Sequence, residues 1–145
     1  MKIKRSFILI GLVALFMFIQ LIPVNRENPT TNKELEIKAL PQIMIILKGS
    51  CYDCHSNQTN WPIYSYIAPV SWLVAHDVEE GRAELNFSEW YNLPVDRRIR
   101  KKDKIVEEVS EDKMPLPIYL FTHSDAKLTD EQKMRLKQWV NNVDD

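Results

Sequence analysis

Glycine is scarce, with three residues in 145, at Gly11, Gly49 and Gly81. So few, so far apart, leave no phosphate-cradling loop. No catalytic triad or acid pair is visible, and the carboxylates lie mainly on charged stretches. Cysteine stops at two, Cys51 and Cys54, which excludes a scaffold of several disulfides. Basic charge is not in excess either, since 19 Lys and Arg stand against 20 Asp and Glu. A nucleic-acid partner is thereby excluded. Repeats, low-complexity tracts and convincing strand pairs are missing too. What is present, 45% hydrophobic and 27% charged residues, suits one globular domain.

The N-terminus stands apart from that domain. Lys2, Lys4 and Arg5 precede an uncharged run from Phe7 to Ile22, the pattern of an export signal. No small-residue cleavage site follows, because Gln20-Leu21-Ile22-Pro23-Val24 is bulky throughout. Residues 1–22 are therefore expected to be a signal-anchor helix, with a cleaved signal peptide as the alternative. The basic residues should stay in the cytoplasm and send the rest across the membrane. Residues 23–34 read as a flexible polar linker, and residues 35–145 as the domain.

Within the domain the periodicity is helical, and the fold class expected is all-α with long loops. Pro41 suits the first turn of a helix carrying Ile43, Ile46 and Leu47. Pro69 and Ser71 open a second, with Gly81 as its stop. The charged segment Pro94–Glu111 has Ile99, Ile105, Val106 and Val109 as its apolar stripe. Thr129 and Gln132 form a capping box before Leu136, Trp139, Val140 and Val143. Met114-Pro115-Leu116-Pro117 cannot continue a helix and reads as a stiff loop.

Export places the cysteines where a pair normally oxidises, but the residue after them offers another use. Cys51-Tyr52-Asp53-Cys54-His55 has the spacing of a covalent haem site. On a helical turn the two sulfurs and the imidazole share a face, so haem vinyl groups can meet the thiols while His55 binds iron. A zinc site would lack an evident fourth ligand, and a thioredoxin motif expects alternating strands and helices. One haem c, with its iron, is thus the expected cofactor. For the opposite iron face Met114 is the candidate, with His76 and His123 as rivals and an open position as the remaining case. A His/His pair would lower the potential relative to His/Met. Met44 and Met134 read as core packing.

At CYDCHSNQTNWPIYSYIAPVSW, continued by HDVEEGRAELNFSEW and later by KMPLPIY and HSDAKLT, the chain resembles a bacterial haem-binding domain family. The resemblance spans about residues 35–143. It implies a single-haem, cytochrome c-like helical domain on the outer side of the cytoplasmic membrane. Cys51, Cys54 and His55 carry over directly, and Met114 matches the methionine of the family's Met-Pro segment. Trp61, Tyr64, Tyr66 and Trp72 read equally as haem walls or as core. Arg82 could pair with a haem propionate.

The expected function is one-electron transfer by a non-enzymatic carrier, tethered at the inner membrane with its domain in the periplasm. Its partners would be redox proteins of the respiratory membrane, and the membrane itself through the N-terminal helix. A haem sensor or ligand-binding module, or a peroxidase-like accessory domain, are the alternatives. Each of these needs an exchangeable iron position.

Overall fold

The computed structural model describes residues 2–141, and among them every regular element is an α-helix or a 3-10 turn. The helices are α1 (Lys2–Ile19), α2 (Pro41–Ser50), α3 (Tyr52–His55), α4 (Val70–Glu84), α5 (Val95–Ser110), α6 (Pro117–Leu120) and α7 (Asp130–Asn141). The all-α expectation holds for these residues. Val143 lies outside them.

Local signals explain several boundaries. Pro41 occupies the first turn of α2, where its missing N–H would have had no helical partner. At α7 the capping box is formed: Thr129 N donates to Gln132 Oε1 at 2.8 Å, and Gln132 N donates to Thr129 Oγ1 at 3.2 Å. Two expectations are corrected. Helix α4 continues through Gly81 to Glu84, because that glycine is used for close packing. On α5, Ile99 faces solvent, while Lys102 lies on the buried side with Ile105 and Val109, its ammonium 4.9 Å from the Trp139 ring centroid. A lysine stem can cover apolar surface as an aliphatic chain would. Met134 is likewise exposed, whereas Met44 packs on the core.

The core is built where α2, α5 and α7 meet, with Ile43, Leu47, Ile105, Val109, Leu136 and Trp139 at its centre. Phe87 and Trp90, from the 3-10 turns at Phe87–Asn92, close it on the side of α3. Ile37 N donates to Phe87 O at 2.8 Å and Tyr91 N to Leu35 O at 3.0 Å, which ties the start of the domain to this turn.

The N-terminal expectation needs correction. Helix α1 exists, but its uncharged part, from Ser6 to Ile19, is about 21 Å long at ~1.5 Å per residue, against ~30 Å of hydrocarbon core. No helix among the described residues is long and apolar enough to cross a membrane. The basic residues take up the first turn, and the helix ends before Gln20. Gln20 Nε2 donates to Phe16 O at 3.0 Å and to Ala68 O at 3.2 Å, while Ala68 N donates to Gln20 Oε1 at 2.9 Å. The segment that follows is hydrogen-bonded to the domain: Arg26 Nη1 donates to Ser65 O at 3.2 Å and Asn28 Nδ2 to Thr59 O at 2.9 Å.

Leu136 is fully buried, so Leu136→Ala should cost about 2–5 kcal/mol of unfolding free energy. Ile99→Ala, on the exposed side of α5, should stay within about 0.5 kcal/mol of the parent. Urea denaturation of the two variants tests this core assignment.

Candidate functional site

The Cys-x-x-Cys-His segment is a single tight turn at the junction of α2 and α3. Cys51 N still donates to Leu47 O of α2 at 2.9 Å, and Cys51 O accepts from Cys54 N at 3.2 Å and His55 N at 2.9 Å. This bonding brings Cys51, Cys54 and His55 to one crevice. It comprises two adjoining cavities of about 250 and 290 Å³, both lined by Cys51, His55, Glu84, Met114 and Pro115. Cys54 and Tyr119 close one end; Leu85, Phe87 and Ile105 close the other.

Helix α4 fixes the imidazole. His55 Nδ1 lies 2.9 Å from Gly81 O and 3.0 Å from Leu85 O, so it must be the protonated nitrogen, donating to backbone carbonyls. Nε2 is left as the available ligand atom. Burial pushes the His55 pKa down against the pull of these carbonyl hydrogen bonds, favouring the neutral ring that a metal requires. The contact depends on Gly81, where a Cβ would stand 2.7 Å from Cys54 O and 3.0 Å from Cys54 Cβ. Nothing but hydrogen fits between α4 and the motif.

The thiols are held protonated. Burial, reinforced by the charge of Cys54, pushes Cys51 up to about 12; burial, with Asp77 and Asp53 nearby, pushes Cys54 up to about 11. The crevice thus offers two neutral thiols, one neutral imidazole and one thioether. That donor set, in a mainly apolar slot, fits haem.

Met114 reaches the crevice because α5 ends abruptly. Asp112 takes a left-handed conformation (φ 55°), which a short polar side chain tolerates. Lys113 N and Met114 N then both donate to Glu108 O, at 2.9 and 3.2 Å. Lys133 of α7 pairs with Asp112 and holds the turn. Past Met114, Pro117 starts α6, which carries Tyr119 back to the motif. Tyr119 Oη donates to Asp53 Oδ2 at 2.8 Å, and Asn60 N donates to Asp53 Oδ1 at 3.0 Å. Burial, then the Asp53 carboxylate, push the Tyr119 pKa up.

The other candidates lie elsewhere. His76 is exposed on α4, 3.5 Å from Glu80, and lines a different cavity with Trp61 and Trp72. His123 stacks on Tyr119 with 4.2 Å between ring centroids and stays outside the crevice lining. Of the expected haem walls, Tyr64 borders a neighbouring groove and Tyr66 is exposed, so none of the four lines the crevice. Phe87 and Tyr119 are the aromatic walls instead. Arg82 is not directed at the crevice. Its guanidinium donates to Ser56 O at 2.8 Å, Asn28 Oδ1 at 2.7 Å and Thr59 Oγ1 at 2.9 Å, clamping the loop after His55 to the N-terminal segment. Sequence reasoning missed Gly81, Leu85 and Tyr119. Tyr119 had a signal, since it closes the KMPLPIY stretch.

A family model described as a haem-binding domain matches residues 14–142 of the chain. No curated protein and no solved structure matches. The match begins in α1 and takes in the segment that Gln20, Arg26 and Asn28 bond to the domain.

Two glycines give opposed expectations. Gly81→Ala should force α3 and α4 apart, costing about 1–3 kcal/mol and reducing haem incorporation. Gly49→Ala has open space within 4 Å on a helix and should stabilise by about 0.5–1 kcal/mol. Denaturation midpoints together with haem-to-protein absorbance ratios check both.

Proposed function

The chain belongs to the haem-binding domain family, and we propose that it is a single-haem c-type cytochrome, a one-electron carrier rather than an enzyme. One observation carries this reading. Cys51, Cys54, His55 and Met114 line the same crevice, with His55 Nδ1 already engaged by Gly81 O and Leu85 O. In this reading Cys51 and Cys54 supply the two thioether sulfurs, His55 Nε2 the proximal bond, and Met114 the distal sulfur. Bound haem supplies reversible one-electron chemistry at its iron.

The rest of the chain positions those atoms. Gly81 and Leu85 carbonyls orient the imidazole and raise its basicity, as outer-shell acceptors do for metal-bound histidines. Ile105, Val109 and Phe87 keep one end of the crevice dry, and a thioether ligand there favours ferrous iron. Lys101, Lys104, Glu84 and Glu108 stand around that end and give a partner a charged surface to meet.

Location belongs to the same proposal. The apolar side chains of α1, among them Phe7, Leu9 and Phe18, are exposed, and burying such a surface in lipid would be favourable. The reading is that the N-terminal segment directs export and holds the chain at the inner membrane, its short helix accommodated by local thinning of the bilayer, with the domain in the periplasm among respiratory redox partners. Carbonate extraction of isolated membranes should leave the intact chain in the pellet. A soluble periplasmic form beginning near Val24 would replace the anchor with a cleaved signal.

Cys51→Ala with Cys54→Ala should release all haem to acid-acetone, whereas the parent retains it. Met114→Ala should keep covalent haem, lose the weak far-red band of ferric His/Met ligation, lower the midpoint potential and bind carbon monoxide readily. His76→Ala should match the parent in all of these. Rapid carbon monoxide binding by the parent would favour a sensor or peroxidase-like role instead.

A further inference from the structure

Apolar side chains outside the core are exposed between residues 63 and 73, from the 3-10 turn at Ile63–Tyr66 into the start of α4. Ile63 is 85% exposed, Ile67 47%, Val70 44% and Leu73 42%. Ile118 and Phe121, 59% and 90% exposed, line a groove of about 370 Å³ together with Val70 and Leu73, and Cys54 and Tyr119 of the crevice wall border it too. A cluster of exposed apolar side chains, rather than single scattered ones, marks an interaction site.

The chain's own path indicates what covers it. Gln20, the residue immediately after α1, is bonded to both backbone groups of Ala68, next to Ile67. Arg26 adds a second tie, with its guanidinium 4.4 Å from the Tyr66 ring centroid and its donor on Ser65 O. The apolar helix is thus delivered to the edge of the apolar flank with no spacer between them. Helix α4 has the same polarity along its length: Val70, Trp72 and Leu73 come at its start, and Asp77, Glu79, Glu80 and Glu84 follow. Tyr66 and Trp72, at the border, are side chains suited to a lipid–water interface.

We propose that this flank is a lipid-docking surface, seated in the interfacial layer of the membrane that takes up α1, so that the domain is held in one orientation. The inference rests on the membrane placement of α1 given above. It sets α4 with its N-terminal end toward lipid. Gly81, in the crevice wall, follows Val70 by eleven residues, or roughly 17 Å at ~1.5 Å per residue. The end of the crevice lined by Lys101, Lys104 and Glu108, which shares no lining residue with the groove, then faces away from the lipid toward water-borne partners, while the Cys54 and Tyr119 end borders the docked flank.

The full-length holoprotein would be reconstituted into vesicles of phosphatidylethanolamine and phosphatidylglycerol doped with a lipid bearing a diazirine near the glycerol end of its acyl chain. After illumination, mass spectrometry locates the labelled peptides. Labelling of α1 and of residues 63–73 should exceed that of α7 several-fold, and Ile63→Glu with Ile67→Glu should bring 63–73 down to the α7 level. Labelling of α1 with 63–73 no higher than α7 would overturn the docking surface while leaving the anchor intact; a flank that is unlabelled in the parent is not seated in lipid. Unchanged labelling of 63–73 in the double variant also overturns it. Absence of label from both segments would remove the membrane reading and this inference together.

Discussion

The close approach of α4 to the Cys-x-x-Cys-His turn is the constraint on which the rest depends. Gly81 lets the helix backbone lie against Cys54, and only at that separation can its carbonyl meet His55 Nδ1. The next carbonyl in reach, Leu85 O, belongs to the residue that ends the helix, so one imidazole N–H serves two acceptors. Removing that N–H would leave Gly81 O with its bond from Leu85 N at 2.9 Å but take the imidazole donor from Leu85 O, which makes His55 a structural residue as well as a candidate ligand.

From this contact the remaining architecture follows in order. Helix α3 is too short to hold a position by itself, so α2 carries it at one side and α4 at the other. Asp53, between the cysteines, binds Tyr119 and Asn60 and thereby closes the crevice from the far side. Arg82, one residue beyond Gly81, fastens the loop after His55 to the N-terminal segment. Consecutive residues of α4 therefore serve two purposes. One permits approach, and the other locks it.

Much of this was legible because the relevant signals are local. The pentapeptide spacing, the proline at the start of α2 and the capping box of α7 each act within one helical turn, where sequence distance fixes geometry. The rest depended on contacts between distant segments. Gly81 reads as a helix stop when only its neighbours are considered; its use is set by Cys54, far away in the chain. Arg82 could be assigned to a propionate or to solvent, since Ser56, Asn28 and Thr59 converge only in three dimensions. Lys102 defeated the stripe on α5 because its aliphatic stem lies along the core while its ammonium reaches the face of Trp139. The N-terminal run was legible as apolar, but the bonding of Gln20, just past its helix, to Ala68 was not, since the two residues lie far apart in the chain.

Met114 is the group whose position is least dictated by its own neighbours. A thioether is a weak ligand with a flexible side chain, and burial alone would let it sample several rotamers. Its backbone, however, is tied to Glu108 O, and the left-handed Asp112, two residues before it, is tied to α7 through Lys133. Helices α5 and α7 share the main core. The sulfur thus approaches the crevice on a loop anchored to α5 and α7 rather than to α4. If His55 and Met114 were the ligand pair of the proposed haem, one would be fixed by α4 and the other by α5 and α7, and displacing Met114 would have to disturb the turn that Glu108 O and Lys133 hold. Under the proposed ligation, that tethering is what a carrier with a closed iron needs, whereas a sensor needs a distal side that yields to its ligand.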